Sequence, residues 1–251
     1  IVNWLNDYCT TSHTKGFVIG ISGGIDSALT STLCAKTGKK VIVLSMPIRQ
    51  HNAELLRATG HVEWLKKNFS NVTSFEIDLT TIFDQIEKTY PTDVQDWLSM
   101  ANTRARLRMT TLYAFACSHK MLVAGTGNKI EDFGVGFFTK YGDGGVDVSP
   151  IADLMKSEVY SLAKELGVEN SILNAAPTDG LWADGRTDED QIGATYNELE
   201  WAMTFLENPG ALSKLNDREK KVLDIYERMH KAALHKMQPI PVCEIPNNLK
   251  Q

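Results

Sequence analysis

Apolar residues fall in short blocks along this chain, and the spacing inside each block separates strands from helices. Val2, Leu5 and Cys9 recur at helical spacing and predict an amphipathic helix over 2–11. Phe17-Val18-Ile19-Gly20-Ile21 is an unbroken apolar run that stops at Ser22-Gly23-Gly24. That pattern predicts a buried parallel strand entering a glycine turn. Val41-Ile42-Val43-Leu44 and Met121-Leu122-Val123-Ala124 predict two more buried strands, and 73–77 a further one. Helices are predicted over 27–36 and 53–68, and 93–120 reads as one or two helices. The glycine-rich stretch 137–150 reads as a loop, with a short fifth strand over 148–151. Helices over 156–166, 188–206 and 217–235 complete the chain, and the polar stretch 181–190 between them reads as a mobile flap.

Strands that alternate with helices imply an α/β fold: a parallel sheet of about five strands covered by helices on both faces, with a helical C-terminal part. No repeat and no Pro/Gly/Ser linker divides the sequence, so 1–251 is expected to form one domain. In open parallel sheets, ligands bind outside the carboxyl ends of the strands. Two predicted strand ends carry glycine-rich loops, after Ile21 and after Ala124.

Composition narrows the function classes. A net charge of −5 argues against broad nucleic-acid binding, which rests on basic surface. No apolar run approaches the ~18 residues of a membrane-spanning helix. The four cysteines, Cys9, Cys34, Cys117 and Cys243, show no CxxC pair and no zinc spacing. They read as reduced thiols, which suits a cytoplasmic location.

The first loop reads Gly20-Ile21-Ser22-Gly23-Gly24-Ile25-Asp26-Ser27. A strand, a glycine turn and a helix N-terminus present backbone N–H groups and a positive dipole end to an anion. Ser22 and Ser27 add hydroxyl donors. The Walker lysine is missing, and so is the GxGxxG spacing. Asp26 would repel a bare phosphate. Either it caps the helix, or a Mg²⁺ ion stands between it and phosphate oxygens. After the later strand comes Gly125-Thr126-Gly127-Asn128-Lys129-Ile130-Glu131, then Gly136-Phe137-Phe138-Thr139-Lys140-Tyr141-Gly142-Asp143-Gly144-Gly145-Val146-Asp147. Glu131 would share a cation with Asp26 if the two strand ends are neighbours. Lys140 suits an anionic group, or forms a solvated pair with Asp147.

The SGGxDS loop resembles the pyrophosphate loop (PP-loop) of the ATP pyrophosphatases, which implies cleavage of ATP between the α and β phosphates. The second cluster, with Pro150-Ile151-Ala152-Asp153-Leu154-Met155-Lys156, Ala105-Arg106-Leu107-Arg108-Met109 and Ala176-Pro177-Thr178, closely resembles the NAD synthetase family. The resemblance runs through nearly the whole chain in matching order. It implies that Gly20, Ile21, Ser22, Gly23, Gly24, Ile25, Asp26, Ser27, Thr126, Lys156 and Thr178 bind ATP. It implies Asp26 and Glu131 as Mg²⁺ ligands and, with Lys156, as the catalytic set. Arg106, Lys140, Asp147, His235 and Lys236 are implied to contact deamido-NAD. A homodimer is implied too, with the dinucleotide near the subunit interface. One departure is visible: Pro177-Thr178-Asp179-Gly180-Leu181 shifts an acidic residue by one position, so Asp179 is left out of the site.

The resemblance implies amidation of a carboxylate, a chemistry these residue types would support. Hydroxide is a poor leaving group, so the nicotinate carboxylate first attacks the α-phosphorus of ATP and pyrophosphate leaves. Ammonia then attacks the nicotinyl adenylate and AMP departs. All four cysteines sit in segments assigned to the ATP fold or its tail, so no glutaminase domain is expected and the nitrogen donor is ammonia. Two other readings share the loop: another PP-loop amide ligase of the GMP-synthetase kind, and a non-catalytic adenine-nucleotide sensor.

Overall fold

A computed structural model describes residues 1–177, 187–208 and 214–250 of the chain. Four parallel strands form the sheet: β1 (Gly16–Gly20), β2 (Lys40–Ser45), β3 (Val72–Glu76) and β4 (Leu122–Val123), in the order β3-β2-β1-β4. Phe17 pairs with Val41 on one side and with Leu122 on the other. The expected fifth strand is reduced to one parallel bridge between Ala124 and Val148. Pro150 follows closely and offers no N–H to continue a ladder.

The strands carry apolar residues on both faces, as a sheet buried on two sides requires. Phe17, Ile19, Val41 and Val43 face one core with α1 (Val2–Thr11), α2 (Ile25–Lys36), α3 (Asn52–Asn68) and α6 (Lys156–Glu165). Val18, Ile42, Leu44 and Val123 face the other, under α4 (Thr80–Thr89) and α5 (Trp97–His119). A short α7 (Asn170–Leu173) adds Ile172 to the first core. A third core gathers α8 (Asp188–Ile192), α9 (Tyr196–Glu207) and α10 (Asp217–Met237) around Ile130 and Val135.

The single helix expected over 188–206 is two helices. Gly193 adopts φ +85° and closes α8, and Thr195 caps α9 by accepting from the Glu198 N–H. A left-handed glycine is the usual stop for a helix. Helix α4 was not expected; Phe83 is its buried residue, and Arg49 ties it down through Asp84 and Glu87.

The chain winds β1, β2, β3 outward, then returns to place β4 on the far side of β1. The sheet's switch point therefore lies between β1 and β4. The two glycine loops leave the sheet on either side of it, where open α/β sheets bind ligands.

Candidate active site

The loop after β1 is held in shape by its own serines. Ser27 Oγ donates to the Gly24 carbonyl at 2.9 Å, and the Gly24 N–H donates to Ser22 Oγ at 3.1 Å. Gly23 has φ +85°, and a Cβ there would stand 2.6 Å from the Glu54 carbonyl oxygen. Glycine is needed at this position both for the conformation and for the close approach of α3.

Asp26 does not cap its helix. Its Oδ1 accepts from Asn128 Nδ2 at 3.0 Å and its Oδ2 from Lys156 Nζ at 2.6 Å. The same ammonium lies 3.0 Å from Glu131 Oε1. The two strand ends are therefore neighbours, and their carboxylates converge on one buried cation. Side-chain exposure is 4% for Lys156, 18% for Asp26 and 17% for Glu131, so the group is largely withdrawn from water.

Helical N-termini deliver these residues. Asp26 is in the first turn of α2, Lys156 opens α6, Asp188 opens α8 and Tyr196 opens α9. Glu131 stands in a π-helical stretch, Ile130–Val135. Such turns are rare and concentrate at functional sites. Asn128 shapes this one, its Oδ1 accepting from the N–H groups of Ile130 and Glu131, both at 3.1 Å. The positive ends of helix dipoles favour the carboxylates.

Electrostatics follow from burial and pairing. Burial raises the Asp26 pKa; Lys156 opposes the rise and the Glu131 charge adds to it. Burial also pushes Glu131 upward, but the Lys156 ammonium and the Tyr196 hydroxyl outweigh it, and its pKa falls below the ordinary value. Lys156 is desolvated, yet its two carboxylates hold its pKa above the usual lysine value. Asp132 is pushed up to about 7 by burial first, then by Glu131, Asp143 and Asp26.

A cavity of about 830 Å³ opens beside the first glycine loop, next to this group; Asp26, Glu131 and Lys156 do not line it. Gly20, Ile21, Ser22, Ser27 and Thr126 line one end; Arg106, Lys140, His235 and Lys236 line the other. That second set is knit together by backbone carbonyls. Arg106 donates to the Lys140 carbonyl at 3.3 Å, Lys140 Nζ to the His235 carbonyl at 2.6 Å, and Lys236 Nζ to the Phe138 carbonyl at 2.7 Å. Asp147 is not brought to this group. Its carboxylate accepts from the Val123 N–H at 2.8 Å and from Tyr113 OH at 3.0 Å, pinning the end of the loop to β4 and α5. Gly23, Gly24 and Ile25 form the loop's turn and the start of α2. Thr178, Asp179 and positions 181–186 of the expected flap lie outside the described residues.

Asn128, Tyr196 and Asp188 were missed by sequence reasoning. Tyr196 OH donates to Glu131 Oε1 at 2.6 Å and lies 3.3 Å from Asp188 Oδ2. Asn128 stood within the GTxNKxE stretch and was the one with a signal. Tyr196 is 65 residues from its partner, and no local spacing marks it.

The NAD synthase family model matches residues 1–239. The NH(3)-dependent NAD(+) synthetase of Mycoplasma genitalium is 40% identical over 225 residues, covering 89% of this chain and 86% of that protein. Among solved structures, NMN synthetase from Francisella tularensis has a TM-score of 0.84 at 35% identity, covering 98% of this chain and 95% of that one. The NH3-dependent NAD synthetase from Campylobacter jejuni, in complex with the nitrate ion, has a TM-score of 0.79 at 28% identity, covering 97% and 96%.

Proposed function

The chain belongs to the NAD synthase family, and from that premise we propose that it is an ATP-dependent ligase that makes NAD from deamido-NAD and ammonia. The observation that carries the reading is the convergence of Asp26, Glu131 and Lys156 beside an anion-binding glycine loop. A nucleotide sensor needs only the loop; paired carboxylates around a buried ammonium suit phosphoryl chemistry.

The loop N–H groups and the Ser22 and Ser27 hydroxyls hold the pyrophosphate portion of ATP. The donor set fits Mg²⁺. Among the described residues there is no cluster of three or more metal-ligating side chains, and Mg²⁺ takes one or two carboxylates and completes its shell with phosphates and water. Held by Asp26 and Glu131, the ion would neutralise charge on the departing pyrophosphate. Lys156 supplies a second positive charge at the same place. Thr126 closes the nucleotide end of the cavity, and Thr178 is proposed to join it.

Arg106, Lys140, His235 and Lys236 form the acceptor end and bind deamido-NAD through its phosphates. Asp147 acts on that end by fixing the loop that carries Lys140. The nicotinate carboxylate oxygen attacks the α-phosphorus, the bond to the bridging oxygen breaks, and pyrophosphate leaves with those electrons. Ammonia adds to the acyl carbon, AMP leaves, and the amide nitrogen loses its extra proton.

A second acceptor is favoured by one likeness. The Francisella protein is named for NMN synthesis and covers nearly the whole chain. The same chemistry on the mononucleotide would need only the nicotinate and one phosphate at the Arg106–Lys140 end. Comparing deamido-NAD with nicotinate mononucleotide as acceptors, at equal ATP and ammonium, separates the two. We further infer a homodimer. Leu98 and Trp97, both exposed, lie at the cavity wall, so a second copy packed there would border the acceptor site.

A further inference from the structure

We propose that Tyr196 is a positioning residue for the metal-binding carboxylate: its hydroxyl fixes Glu131 while its ring face supports Lys156. The inference rests on the reading that Asp26 and Glu131 take the Mg²⁺ that arrives with ATP.

Three contacts carry it. Tyr196 OH donates to Glu131 Oε1 at 2.6 Å, the same oxygen that Lys156 Nζ approaches at 3.0 Å. The Lys156 ammonium also stands 4.7 Å from the centre of the Tyr196 ring, in reach of a cation–π attraction. Asp188 Oδ2, 3.3 Å from the hydroxyl, borders it on the remaining side. With hydroxyl and ammonium both on Oε1, rotation of the carboxylate is fixed, and so is the direction in which Oε2 points.

Tyr196 itself has little freedom. It is 5% exposed and packs in the core formed by α8, α9 and α10. Thr195 and Glu198 cap the helix that starts at Tyr196, and Glu200 of the same helix accepts from Ser157 N at 2.8 Å and Ser157 Oγ at 2.7 Å. Helices α6 and α9 are thereby locked together one residue from Lys156. Partners that orient a metal ligand are commonly worth about 10–100-fold in metal affinity.

The test is metal binding without turnover. Mn²⁺ is titrated into the full chain with a non-hydrolysable ATP analogue, and bound metal is read by electron paramagnetic resonance. Tyr196→Phe keeps the ring and removes the hydroxyl. It should weaken Mn²⁺ binding about 10-fold, and excess Mg²⁺ should restore its kcat. In a Glu131→Gln background the same change should cost nothing further. Unchanged Mn²⁺ affinity in Tyr196→Phe, or an equal loss in the Glu131→Gln background, overturns the role. If the wild type binds no Mn²⁺ with the analogue, the metal reading fails and this one with it. Should Tyr196→Phe not fold, 3-fluorotyrosine at 196 reports instead. Its ¹⁹F signal should shift when Mg²⁺ and the analogue bind, and an unmoved signal overturns the proposal.

Discussion

The ammonium of Lys156, the first residue of α6, lies 2.6 Å from Oδ2 of Asp26, which precedes it by 130 residues. Chain order alone does not bring them together. The crossover that sets β4 beside β1 does, because it carries the Gly125–Glu131 segment and the start of α6 to the end of the first glycine loop.

Removing one partner of a buried ion pair leaves the other charge uncompensated, at a cost of about 3 kcal/mol. Lys156→Met should show that loss in urea unfolding near pH 8. Without the ammonium, burial and mutual repulsion raise Asp26 further and lift Glu131 from below its ordinary value. The folded variant then binds more protons than its unfolded chain, so its stability declines as pH rises from about 4. The deficit should be smaller at pH 5 than at pH 8, and an equal deficit at both would contradict the charge argument.

Asp26→Asn should abolish pyrophosphate release and amide formation together, by about 100-fold or more, while the fold persists. The loop's own bonds run through Ser22, Gly24 and Ser27 and do not use the Asp26 carboxylate. Turnover with Mg²⁺ at the wild-type rate would remove Asp26 from the site.

At Gly23, alanine meets two obstacles: a positive φ, and a backbone oxygen 2.6 Å from its Cβ. The conformation alone costs about 1–3 kcal/mol. Gly23→Ala should lower the melting temperature and raise the KM for ATP. Gly38→Ala is the control, since it shares a positive φ but meets nothing within 4 Å; its KM for ATP should not move.

His61 gives the fold an acid limit. It is fully buried with Nε2 2.9 Å from Ser31 Oγ, and burial lowers its pKa to about 4. The unfolded chain binds a proton at about pH 6.5, so stability is complete above that pH and lost as pH falls toward 4. Unfolding free energy at pH 5 should be about 2 kcal/mol below that at pH 7, and His61→Gln should flatten the slope.

Much of this was legible in the residues. The apolar run 17–21 ending in SGG marked both the strand and its anion loop, because a buried parallel strand must be apolar on both faces. The less visible parts depend on tertiary context. Helix α4 reads TTIFDQIEKT; Phe83 and Ile86 do recur at helical spacing, but Leu79 at its N-cap offers no side-chain cap, so the segment is short and lacks a start signal. The π-helical stretch carries Gly134 in its interior, which argues locally against any helix. Gly193 was a readable stop inside 188–206, and the apolar periodicity on either side of it hid the break. Tyr196 carries no local signal; its hydroxyl finds Glu131 only where α9 packs against the π turn.

The most direct test follows NAD and pyrophosphate together, in one assay with ATP, Mg²⁺, deamido-NAD and either ammonium or glutamine. Ammonium alone should yield both products in equal amounts, with glutamine inert at very low free ammonia. Pyrophosphate without NAD, or neither product with ammonium, would contradict the account.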